Sequence, residues 1–209
     1  MNITIIGASA GVGLDTVKRA LERNHTVTTL SRSEINLTNV NLTTLKGSAT
    51  NKPDLKKSIE NADAVIVALG TGKSMKATSL YSDFAKLLVE IHQETDTHVP
   101  FVVLTGFGAG ESGQYNGFIM KLFFKFLLKD VYADKTKMEE IITNSKMKWV
   151  IVRPGLLKNK PLTEKYRIEN KLFKGINISS INRSDVADFL VKQVENPTQL
   201  NNYVSLSNK

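Results

Sequence analysis

The stretch Ile3-Thr-Ile-Ile-Gly-Ala-Ser-Ala-Gly-Val-Gly-Leu-Asp-Thr-Val-Lys-Arg-Ala-Leu-Glu-Arg23 changes its period partway along. Ile3, Ile5 and Ile6 lie in a short β-branched run, which predicts a buried strand. The run ends in glycines at 7, 11 and 13, and beyond them Leu14, Val17, Ala20 and Leu21 recur at the spacing of one buried helix face. Asn24-His25 closes that helix, and Thr26 to Leu30 predicts a second strand. Strand, glycine turn, helix, strand is the opening unit of a parallel α/β domain.

Outward from this unit the alternation continues. A short strand is predicted at Thr43 to Leu45, a helix near Pro53 to Glu60, and a buried strand at Ala64 to Leu69. Met75 to His92 reads as a long helix and Phe101 to Leu104 as a strand. Phe118 to Lys129 and Asp134 to Asn144 read as two helices, and Trp149 to Val152 as a strand before Arg153-Pro154-Gly155. Asp185 to Glu195 is expected to be the final helix and Tyr203 to Leu206 the final strand. With no repeat or linker, the expectation is a single domain over residues 1–209: a Rossmann-type, doubly wound parallel sheet with helices on both faces and a small substrate-side excursion at about 155–180.

Composition narrows the chemistry. A chain of 209 residues without cysteine excludes disulfides, thiolate metal sites and cysteine nucleophiles, and three histidines make a histidine metal site improbable. The net charge of +8 is uneven, since residues 1–117 carry 11 basic and 11 acidic side chains whereas 118–209 carry 17 and 9. The basic residues are interspersed with acids and follow no nucleic-acid motif, so no nucleic-acid partner is expected. No run reaches the roughly 18 apolar residues of a membrane span, and the N-terminus lacks a basic leader. A cytoplasmic monomer or homodimer acting on a small molecule is the expectation. In residues 118–129 the lysines recur at 121, 125 and 129 along one stripe and every other position is apolar, which predicts a core helix or a cover over a ligand crevice.

The glycine turn has a physical meaning where a strand passes into a helix. Free N–H groups and the positive end of the helix dipole can hold a pyrophosphate there, provided that no side chain blocks the backbone. Gly7, Ser9, Ala10, Gly11, Val12 and Gly13 are the candidate contacts. At the end of the second strand an acid would grip the ribose hydroxyls of NAD, whereas an arginine accommodates the 2′-phosphate of NADP. Here Ser31-Arg32-Ser33 stands without an acid until Glu34, which predicts NADP(H) in preference to NAD(H). Ala68, Leu69, Gly70 and Thr71 end another strand on the same crevice, and Thr105-Gly106 ends the next.

These residues resemble the atypical short-chain dehydrogenase/reductases, in particular the NmrA-like NAD(P)H-binding proteins related to biliverdin-IXβ/flavin reductase. Ile6-Gly-Ala-Ser-Ala-Gly-Val-Gly13, Ala62-Asp-Ala-Val-Ile-Val-Ala-Leu-Gly70, Asp134-Lys-Thr-Lys-Met-Glu139, Lys148-Trp-Val-Ile-Val-Arg-Pro-Gly155 and Arg183-Ser-Asp-Val-Ala-Asp-Phe189 carry the likeness. The resemblance implies that Lys135 holds the nicotinamide ribose and that Thr105 stands near a catalytic serine position, with Pro154 close by. It also places Ser48, beside Ala49, where an aspartate often holds adenine. Typical members set a tyrosine four residues before that lysine as proton donor, but Val131 stands there and Tyr132 is displaced by one residue, about 100° around a helix. Where the flavin reductases have a histidine, this chain has Leu156.

The implied activity is NADPH-dependent hydride transfer to a planar acceptor such as a flavin or quinone, with Thr105, Tyr132 and Lys135 as the catalytic candidates. Such acceptors rely mainly on positioning and can take their proton from water. Two alternatives remain: a non-catalytic NADP(H) sensor, and a nucleotide-sugar epimerase or dehydratase. The second suffers from a short C-terminal part.

Overall fold

Parallel strands buried on both faces should be apolar without interruption, and in the computed structural model the strands at 64–67 and 100–104 meet that condition, as does the 149–152 part of the next. The structure describes residues 1–72, 77–95, 97–117, 122 and 124–209, with the side chains of 124 and 125 left aside. In chain order come β1 (Asn2–Ile6), α1 (Gly11–Glu22), β2 (Thr26–Ser31), β3 (Leu42–Lys46), α2 (Lys52–Ile59), β4 (Ala64–Val67), α3 (Leu80–Thr95) and β5 (Pro100–Leu104). A short 3₁₀ segment (Gly110–Tyr115) and a π turn (Phe124–Leu128) lead into α4 (Lys129–Thr143). The rest is β6 (Lys148–Pro154), β7 (Leu156–Lys158), β8 (Tyr166–Glu169), β9 (Ser180–Asn182), α5 (Arg183–Glu195) and β10 (Asn202–Asn208).

The sheet order is β3-β2-β1-β4-β5-β6-β10-β8, with β8 antiparallel to β10 and every other pair parallel. This is a Rossmann-like α/β fold. The winding reverses between β1 and β4. Alternate side chains feed two cores: Ile3, Ile5, Ile66 and Val152 pack with Val17 of α1 and Phe189 of α5, while Ile6, Val67, Val103 and Ile151 pack with Leu55, Phe84 and Met138 of α2, α3 and α4. Thr4 is polar yet only 2% exposed, because its hydroxyl donates to the Ser58 carbonyl at 2.6 Å.

Local chemistry sets the helix ends. The Asn51 side chain accepts from the Asp54 amide, and Pro53 occupies the first turn of α2. Asn24, at φ +61, supplies the left-handed residue after α1. The helix expected from Met75 begins instead at Leu80, where Thr78 Oγ1 accepts from the Leu80 amide; residues 73–76 lie outside the described set. Lys129–Thr143 is continuous where two helices were expected, since nothing between Lys129 and Asp134 breaks a helix. Most of the apolar stretch 118–123 lies outside the described residues. The excursion at 155–180 holds β7 and β8, which sequence reading missed: both are short and draw their pairing from distant strands.

The first βα turn depends on bare backbone. Gly7 has φ +85, and a Cβ there would stand 2.5 Å from the Ala68 carbonyl oxygen. A Cβ on Gly13 would stand 2.1 Å from the Gly7 carbonyl oxygen. Gly13→Ala should therefore cost about 1–3 kcal/mol of unfolding free energy, whereas Gly117→Ala, with nothing within 4 Å of its added carbon, should change it by less than about 1 kcal/mol. Urea titration of the two variants checks the contrast.

Candidate functional site

At the reversal between β1 and β4 the loops following the strands diverge, and a cleft of about 630 Å³ opens over their carboxyl ends. Gly7, Ser9, Ala10, Gly11 and Val12 form its floor. Ala10 is the N-cap of α1 and makes no side-chain capping bond, and the first turn has no acid, so the amides of that turn are left for an anion. Gly13 is not among the lining residues; its part is the packing against Gly7.

One end of the cleft is bounded by Ser31 at the end of β2 with Arg32 and Ser33 beyond it, and by Ser48 and Ala49 after β3. Arg32 is exposed, and Glu34, the nearest acid in sequence, is engaged by Lys46 at 3.2 Å. The Ser31 hydroxyl donates to the Ser33 carbonyl at 2.8 Å and so spends its proton inside the turn. Ser48 Oγ lies 3.0 Å from Thr50 Oγ1, and the Ser48 amide donates to Asp54. Ala68, Leu69, Gly70 and Thr71 line the middle, with Tyr81 of α3 behind them.

The other end is built by α4 against β5 and β6. Asp134, 4% exposed, accepts from the Tyr81 and Ser82 amides and thereby fastens α4 to the N-terminus of α3. At the next residue, about 100° around the helix, Lys135 Nζ donates to the Thr105 carbonyl at 2.7 Å and lies near the Tyr81 and Tyr132 rings, 5.3 and 5.0 Å from their centroids. Burial pushes the Lys135 ammonium down to about 8, partly opposed by Glu139.

Two of the expected catalytic hydroxyls differ from their expected use. Thr105 Oγ1 donates to Glu139 Oε1 at 2.6 Å, so its proton points into the protein and away from any carbonyl in the cleft. Glu139 in turn takes two bonds from Arg153, and Arg153 reaches Glu111 at 2.7 Å with its other nitrogen. Burial opposes the Arg153 charge, but the two carboxylates outweigh it and hold its pKa above the ordinary arginine value. Tyr132 does reach the site, because its hydroxyl would stand 2.7 Å from a Cβ placed on Gly106, yet burial, with Tyr81 and Glu139, pushes it up to about 12. A general acid works best with a pKa near the ambient pH, so this phenol is a weak one.

A second cavity, of about 820 Å³, adjoins the first. Thr105, Leu128, Tyr132, Lys135, Pro154, Leu157 and Arg183 line both, so the two spaces meet over the ends of β5 and β6. Phe107, Tyr115, Leu156 and Ile176 wall the second. Sequence reading quoted Arg183 in a motif without giving it a place in the site. Its Nη1 donates to Asn159 Oδ1 at 2.6 Å, and its Nε comes within 3.8 Å of a Cβ on Gly11. The only signal available was an arginine opening the last helix, and nothing local points that helix at the first glycine turn.

The chain matches the model of the NAD(P)H-binding family over residues 7–197. It belongs to that family. Among solved structures, a candidate NADH-flavin reductase from Streptococcus pneumoniae superposes with a TM-score of 0.80 at 23% identity, covering 100% of both chains. ChuY, an anaerobilin reductase from Escherichia coli O157:H7, superposes at 0.75 with 18% identity over 100% of this chain and 97% of its own. A short-chain dehydrogenase/reductase from Veillonella parvula in complex with NADP superposes at 0.81 with 16% identity, over 99% and 94%. At these identities the structures establish a shared fold. No helix among the described residues is long and apolar enough to cross a membrane.

For this member of the NAD(P)H-binding family, Lys135 links folding to pH. Below about 8 both native and unfolded chains hold the proton and the native state bears the full desolvation cost; between about 8 and 10.5 only the unfolded chain keeps it, so stability rises with pH across that window. The unfolding free energy of the wild type should climb relative to Lys135→Met over this range in urea titrations. Parallel profiles would remove the depressed lysine.

Proposed function

We propose that the protein is an NADPH-dependent reductase that transfers hydride to a small planar acceptor of the flavin or quinone class. The observation that carries this reading is the junction of the two cavities at Thr105, Tyr132, Lys135 and Pro154. A cofactor lying along the first cavity ends where a flat acceptor in the second begins, which is the arrangement that direct hydride transfer needs.

In this reading the open amides of α1, with Gly7, Ser9, Ala10, Gly11 and Val12, receive the pyrophosphate. Gly13 lets the turn close beneath them. Arg32 pairs with the 2′-phosphate, assisted by the Ser33 hydroxyl, while Ser31 holds the turn and Ser48 and Ala49 border the adenine. Ala68 to Thr71 cover the middle of the cofactor. Lys135 has one ammonium proton on the Thr105 carbonyl and others for the nicotinamide ribose. Pro154 supports the ring from β6. Bound NAD(P)H supplies the hydride. The chain supplies orientation, and the proton comes from water, in keeping with the high pKa of Tyr132 and the inward Thr105 hydroxyl.

Those same two observations favour one other reading, a sensor that binds NADP(H) without turning it over. Oxidation of NADPH against a panel of flavins and quinones decides between them: turnover above the uncatalysed rate supports the reductase, and none across the panel leaves the sensor. Calorimetric titration tests the cofactor. Arg32→Glu should weaken NADPH binding about 10- to 100-fold, the scale of a lost charge-assisted contact, with NADH affinity nearly unchanged. Equal loss for both cofactors would remove Arg32 from the 2′-phosphate.

A further inference from the structure

The second cavity carries charge of one sign. Lys135, Lys158 and Arg183 line it, and no carboxylate does so among the described residues. Lys135 is committed to the Thr105 carbonyl, and Arg183 also borders the glycine turn. Lys158 is different: it stands at the end of β7, exposed, and lines this cavity alone.

The charge is not balanced by the surrounding segment. Residues 155–209 contain five carboxylates, and each is engaged elsewhere. Glu164 and Asp188 bind Arg19 and Lys192, and Glu169 lies 3.1 Å from Arg167. Asp185 accepts from the Thr163 and Glu164 amides and from Asn182. Glu195 binds Arg23 and His25. Against this, the Arg183 fork is steadied on one side by Asn159 and the Leu157 carbonyl, which leaves its Nε side towards Gly11 and the junction. Phe107, Leu156 and Ile176 supply an apolar part of the same lining.

We propose that the cavity selects an anionic acceptor: a planar, largely apolar ring system bearing a carboxylate or phosphate, with the ring against the wall and the oxyanion held by Lys158 and Arg183. The inference rests on the reductase reading and narrows its acceptor class. A neutral ring fills the same wall but leaves Lys158 without a carboxylate beside it in the cavity and Arg183 with neutral hydrogen-bond partners and the Asp15 carboxylate of α1, and an acid-bearing ring gains charge-assisted hydrogen bonds there.

The test compares ligands that share a ring system and differ in whether they carry an anionic group. Flavin mononucleotide is set against riboflavin for phosphate, and anthraquinone-2-carboxylate against its carboxamide for carboxylate. Binding is measured on the protein saturated with NADP, so that no turnover is needed, and NADPH oxidation is followed separately. The anionic member of at least one pair should bind about tenfold more tightly, and which pair shows it tells phosphate from carboxylate. Lys158→Glu should erase that preference while leaving the affinities for the neutral members and for NADPH near their wild-type values; the retained NADPH affinity reports that the variant folds. Equal affinity within both pairs, a preference that survives Lys158→Glu, or no binding of any of the four overturns the inference. Turnover without a charge preference would leave the reductase reading standing alone, and a charge preference without turnover would leave an anion-selective site whose reductase reading had failed.

Discussion

The backbone contact among Gly7, Gly13 and Ala68 is the constraint on which the rest of the site depends. The spaces where Cβ atoms would sit are filled by carbonyl oxygens at 2.1 and 2.5 Å, so α1 can start directly over the end of β1 and against β4 only because those side chains are missing. That closeness brings the unpaired amides of α1 to the point where the winding reverses. From there the sheet order places the ends of β2, β3, β4 and β5 around one cleft, and β6 and α5 close it.

Two buried carboxylates on one helix organise the chemical end. Asp134 ties α4 to α3 through two backbone amides, and Glu139 ties the same helix to β5 and β6 through Thr105 and Arg153. Lys135 lies between these anchors and is fixed with little freedom of its own. The arrangement favours rigidity, because the Thr105 hydroxyl proton is spent on Glu139. Replacing a buried charge partner is costly since the remaining charge stays desolvated, which makes the network a commitment of the fold.

Charge follows a similar logic. The basic surplus of residues 118–209 looks, in one dimension, like a solvated lysine-rich surface. In three dimensions the acids of the C-terminal segment turn inward or sideways to staple α1, α5 and the excursion together, with Asp185 and Asp188 wholly buried. The cations left over are not spread evenly, and three of them, Lys135, Lys158 and Arg183, border the second cavity.

Much of this was legible from the chain alone. The switch in period at Gly7, the apolar runs at 64–67 and 101–104, and the serine-arginine-serine after β2 are local features, since a helix face or a buried strand imprints its spacing on consecutive residues. They determine the order of elements, the layered α/β architecture and the residues that could border a dinucleotide. Tertiary structure alone decided that Thr105 turns its hydroxyl to Glu139, that Tyr132 reaches Gly106 despite its displaced position, that β8 adds antiparallel to β10, and that Arg183 returns to the first glycine turn. Each of these joins segments far apart in sequence, and which of them meet depends on sheet order and on the desolvation of buried charge, neither of which leaves a periodic trace in the residues concerned.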